Sequence, residues 1–77
     1  MKKVKLQINQ LLYNRNMSLT QLHAKTSIRL AALSELASGK RQRIQFDHLE
    51  KIIQALDIED MNEVFSIVEE GEENNVN

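Results

Sequence analysis

The 77-residue chain contains no cysteine, no proline and no tryptophan, and only two glycines. Without cysteine there is neither a disulfide framework nor a thiolate metal site. No apolar run approaches the roughly 18 residues that a membrane-spanning helix needs. The start, MKKVKLQINQ, also lacks the apolar core of about 7 to 15 residues that marks a secretory signal. A cytoplasmic location with no membrane partner is the expectation. There is no glycine-rich phosphate loop, no nucleophile elbow and no paired base and nucleophile, so enzymatic activity is not expected. His23 and His48 stand outside any HExxH context, and the acids after Asp57 do not follow a calcium-loop pattern. No metal and no cofactor are expected.

The chain carries ten Lys/Arg and eleven Asp/Glu, for a net charge of -1 that hides a strong separation. Residues 1–46 hold nine of the basic residues and one acid, Glu35, a balance of +8; residues 47–77 hold Lys51 and ten acids, a balance of -9. A basic segment of this density points to a polyanionic partner, with the acidic segment orienting the domain against it. The alternative is two solvated faces that neutralise one another.

A chain this short forms one domain and buries only about 60% of the surface its unfolded form exposes. With no proline and no hairpin dipeptide such as Asn-Gly, its apolar periodicity reads as helical nearly throughout. Val4, Ile8, Leu11 and Leu12 fall on one face of a first helix, although the alternation of Val4, Leu6 and Ile8 also suits a short initial strand. Ser18 with Gln21 has the form of a capping box that opens a second helix near Leu19. Ile28, Ala32, Leu33 and Leu36 form the inner face of a third helix, leaving Arg29, Leu30, Ala31, Ser34 and Glu35 outward. Gly39 ends it, because a residue just past a helix end often takes the left-handed conformation that glycine reaches cheaply. Asp47 with Glu50, and Asp60 with Glu63, are read as two further capping boxes. They open a fourth helix with Leu49, Ile52, Ile53 and Leu56 inward, and a fifth with Met61, Val64, Phe65 and Val68 inward. The tail EEGEENNVN has no periodicity, and residues 70–77 are expected to be disordered.

Two short helices joined by about three residues, QLHAK-TSI-RLAALSEL, form a helix-turn-helix of the kind that lays its second helix in a major groove. With MSLTQLHAKTSIRLAALSELASGKR followed by FDHLEKIIQALDI and MNEVF, residues 4–69 resemble the small Cro/C1-type helix-turn-helix regulators, the Xre family. The resemblance implies an all-α fold: a compact, lambda-repressor-like bundle of about five short helices over residues 1–69, its helix-turn-helix at about 18–38. It also implies a sequence-specific binder of double-stranded DNA, commonly dimeric, that regulates transcription in bacteria, phages or plasmids, here read as a repressor. Position by position, Ser18 matches the family's cap of the second helix, Leu22 its core leucine, Ile28 the apolar residue after the turn, and Leu33 and Leu36 the buried face of the recognition helix. Several residues depart from the pattern. Leu19 stands where many members have a phosphate-contacting glutamine, and His23 where a small alanine is usual. Ser27 replaces the turn glycine, Arg29 the Ser or Thr cap, and Leu30 a glutamine that often reads adenine.

On this likeness Arg29, Leu30, Ala31 and Ser34 are the candidate base-reading residues. Arg29 suits guanine, Leu30 and Ala31 suit thymine methyls, and Ser34 can bond a base edge. Ser18, Thr20, Lys40, Arg41 and Arg43 are the candidate phosphate contacts, and Lys2, Lys3 and Lys5 a weaker arm. One recognition helix with so few polar readers calls for two copies, so a homodimer is expected, with Met61, Val64, Phe65, Ile67 and Val68 of a C-terminal helix as its surface. The competing class is a protein-binding module on the same scaffold, an antirepressor or corepressor using Leu30, Ala31 and the acidic C-terminal helix.

Overall fold

Segments near the beginning and the end of the described residues pair as an antiparallel ribbon in the computed structural model, which describes residues 1–40 and 43–69. Strand β1 (Lys2–Leu6) lies against strand β2 (Phe65–Glu69), with Lys2 opposite Glu69, Val4 opposite Ile67 and Leu6 opposite Phe65. Between them run α1 (Ile8–Asn14), α2 (Leu19–Thr26), α3 (Leu30–Ser38), α4 (Phe46–Leu56) and a single 3-10 turn, Met61–Glu63. The expected all-α bundle of five helices is thereby corrected: the described residues form four α-helices and a two-stranded sheet. The expected tail, residues 70–77, lies outside the described residues.

Both corrections come from the ends. At the N-terminus Val4 belongs to the strand, and α1 begins only at Ile8, just after the Gln7 amide donates to the Val64 carbonyl at 2.8 Å. At the C-terminus the Asp60 carboxylate does accept a backbone bond, from the Asn62 amide at 2.9 Å, but it caps one 3-10 turn rather than a fifth α-helix. The residues that follow, Phe65, Ile67 and Val68, are aromatic or β-branched and suit a pleated surface better than a helix. The apolar face assigned to a C-terminal helix therefore does not exist as one face. Val64 is wholly buried, Phe65 and Val68 are half-buried, and Met61 and Ile67 are exposed on separate elements.

Every helix contributes to the core, whose centre is formed by residues with no exposed surface, Ile8 and Leu11 of α1, Leu22 of α2, Leu33 of α3 and Ile52 of α4, closed by Val64. Burying a side chain of this size contributes roughly 1.5 to 3 kcal/mol. The C-terminal segment is held over α1 by the Gln7 side-chain amide, which donates to the Asn62 carbonyl at 2.8 Å, and by an Arg15–Glu63 ion pair at 2.7 Å. Helix α4 departs from its expected start: Gln45 is the capping position, without a side-chain bond, and Asp47 sits inside the first turn. There its charge favours the positive end of the helix dipole instead of capping an amide.

Candidate nucleic-acid interface

Helices α2 and α3 and their three-residue connection form the helix-turn-helix. The capping box that opens α2 has both of its arms: the Gln21 amide donates to Ser18 Oγ at 3.1 Å, and the Ser18 amide donates to Gln21 Oε1 at 2.8 Å. Thr20 is exposed in the first turn, and Leu19 is half-buried against the core. A leucine here therefore packs inward against the core.

The turn itself is fixed by side chains whose part in it local pattern does not reveal. Ser27 has φ of 63°, the left-handed conformation, which explains why a glycine commonly stands at this place. Ile28 is 2% exposed, so its peptide groups must be satisfied inside the protein. Its amide donates to Thr26 Oγ1 at 3.2 Å, and Thr26 in turn donates to the Leu22 carbonyl at 2.8 Å. Its carbonyl accepts from His23 Nδ1 at 2.7 Å. A carbonyl cannot donate, so Nδ1 carries the proton. His23, half-buried on α2, thus works as a staple across the turn, which accounts for a ring in place of a small alanine. The only sequence signal was that departure.

Beyond the turn, Arg29 occupies the cap of α3 and makes no side-chain bond to the helix. Ala32, Leu33 and Leu36 are buried while Arg29, Leu30, Ala31, Ser34 and Glu35 are exposed, the division expected from helical spacing. Gly39 ends α3 at φ of 81°, and its amide donates to the Glu35 carbonyl. A Cβ built on it meets nothing within 4 Å, so the position demands glycine for its backbone and not for space. Gly39→Val should therefore destabilise the domain by about 1 to 2 kcal/mol through left-handed strain alone. A thermal melt reads this, and one matching the parent would exclude the cap.

Lys40 and Arg43 are exposed just past this cap, on either side of Arg41, which lies outside the described residues. Glu35 is the one acid on the exposed face of α3. Of the lysines at the N-terminus, Lys2 is drawn into a 3.3 Å pair with Glu69 across the ribbon. Among the described residues no cluster of three or more His, Asp or Glu is placed to hold a metal ion, and no helix is long and apolar enough to cross a membrane.

A family profile described as a Cro/C1-type HTH DNA-binding domain matches residues 7–70, which takes in everything from α1 to β2. No curated protein and no solved structure matches the chain.

Proposed function

The chain belongs to the Cro/C1-type helix-turn-helix DNA-binding domain family, and from that premise we propose that it is a sequence-specific regulator of transcription that represses by occupying its site. A bacterial, phage or plasmid setting and a cytoplasmic location go with this reading. The observation that carries it is the exposed stripe of α3, Arg29, Leu30, Ala31 and Ser34, continued past a glycine cap by Lys40 and Arg43. A helix bearing a cation at its N-terminal end, small or apolar side chains along it and cations just after it matches what a major groove and its flanking phosphates present. Arg29 takes guanine as a bidentate donor, Leu30 and Ala31 pack on thymine methyls, and Ser34 bonds a base edge. Ser18 and Thr20 at the start of α2, with Lys40, Arg41 and Arg43, hold phosphates and set the register.

Affinity for random duplex DNA measured against salt tests this directly. Lys40→Ala and Arg43→Ala should each weaken binding to all sequences alike and lower the log-log salt slope by about 1, one phosphate contact each. Binding without salt dependence would turn the scaffold into a protein-binding module, the competing class. That class loses its acidic C-terminal helix in any case, since β2 stands there.

We also infer a homodimer on DNA. Two polar readers at roughly 1 to 3 kcal/mol each fall short of the 4 to 10 kcal/mol that separates specific from non-specific binding, and a second copy doubles the readout. The ribbon supplies a surface: Val4 and Ile67, directly opposite one another, are 72% and 69% exposed. Two ribbons packed face to face about a two-fold axis cover them and set half-sites one helical turn, about 34 to 36 Å, apart. Ile67→Lys should leave the fold intact and convert two protomers per duplex to one in sedimentation. Two per duplex retained would exclude the ribbon as the contact.

A further inference from the structure

Strand β1 is paired on one edge. Strand β2 occupies that edge, and among the described residues no strand pairs with the other. A cleft of about 850 Å³ lies beside β1, running to the C-terminal end of α3 and to Arg43 and Ile44. Lys3, Lys5 and Arg43 are exposed at its border, while Leu6, Ile44 and Phe65 are half-buried within it. No Asp or Glu lines it among the described residues. The cleft therefore joins an unpaired strand edge, an apolar lining and cations of one sign.

Exposed strand edges accept further strands unless something opposes it. Edge lysines are a common means of opposition, and they act selectively. A second copy of β1 laid along this edge would bring Lys2, Lys3 and Lys5 close to their own counterparts, and like charges across a strand pair are destabilising. A strand of opposite charge is attracted by Lys5 and by Arg43 at the border of the cleft, Lys2 being drawn to Glu69. Register alternation adds a second requirement: Lys3 and Lys5 share one face of the ribbon with Val68 and Ser66, whereas Leu6 shares the other with Phe65. Along residues 3–6 an added strand meets cationic positions with one set of alternate side chains and the apolar Val4 and Leu6 with the other.

We propose that the outer edge of β1 takes an extended acidic peptide as a third strand, its carboxylates toward Lys5 and Arg43 and its alternate apolar side chains against Leu6, Ile44 and Phe65. Backbone bonds to β1 supply the affinity and the alternation supplies the selectivity, as in other strand-addition complexes. The partner is a protein segment in which Glu or Asp alternates with Val, Ile or Leu. Because Arg43 is itself one of the residues assigned to phosphate under the proposed function, such a partner competes with DNA for the same cation, a route to releasing the regulator from its site. The peptide site does not depend on the DNA reading, and its test contains no DNA.

The probe is a fluorescein-labelled hexapeptide alternating glutamate with valine, titrated into the full 77-residue chain by anisotropy, with amide exchange followed by NMR. Binding should slow exchange of the β1 amides that face the cleft, and Lys5→Glu, alone or with Arg43→Glu, should weaken it by about tenfold or more, as loss of a charge pair does. The same peptide N-methylated on alternate residues should lose binding, since it cannot donate to the strand. Equal binding of the N-methylated peptide, equal binding of a lysine–valine peptide, or no binding at millimolar concentration would each overturn the proposal.

Discussion

Leu33→Ala is expected to unfold much of the protein population. Leu33 has no exposed surface and lies near the middle of α3, the helix that packs against α1 and α2. Truncating a buried leucine costs about 2 to 5 kcal/mol, the transfer term plus the cavity left behind. Natural domains have only about 5 to 15 kcal/mol in total, and one this small lies toward the lower end. A urea titration should show a much lower midpoint at an unchanged slope, and DNA binding should fall with the folded fraction. Leu30→Ala is the control: Leu30 lies on the same helix but is 41% exposed, so it should remain folded. A Leu33→Ala loss under about 1 kcal/mol would mean that α3 is not anchored through this face.

Arg29→Ala should produce the largest specific loss in recognition. Truncating an ordinary capping residue removes a helix bond and mixes stability with binding, but Arg29 makes no side-chain bond at the cap of α3. Its removal leaves the melt nearly unchanged, so a change in affinity belongs to the contact itself. A bidentate guanine contact predicts a loss of about 1 to 3 kcal/mol on the preferred site and little on random duplex. Equal losses on both would reassign Arg29 to a phosphate. This measurement and the salt slopes of Lys40→Ala and Arg43→Ala divide the interface into reading and anchoring parts.

The helix-turn-helix was legible in the sequence because its signals are local. Ser18 and Gln21 lie three residues apart and close the capping box; Gly39 takes the positive φ its place demands; and helical spacing separates Leu33 from Leu30. The faces of α2 and α3 follow from such pairs with no knowledge of the remaining chain. Local pattern did not settle the ends. Val4 suits a helical face with Ile8 and equally a strand with Leu6, and only β2, brought from the far end of the chain, decides between them. Asp60 and Glu63 have the spacing of a helix start, yet burial of Val64 and pairing of the Phe65–Glu69 strand with β1 stop the helix after one turn. The same holds inside the turn, where His23 and Thr26 acquire their roles only because Ile28 is buried and its two peptide groups need partners. The cap of α2, the glycine end of α3 and the faces of these helices depend on residues within a turn of one another and were determined by the sequence itself. The box read at Asp47 was not formed, since α4 starts at Phe46 with Gln45 at the cap. The ribbon, its exposed apolar pair and the cleft beside β1 depend on segments joined only by tertiary packing, and the structure alone decided them.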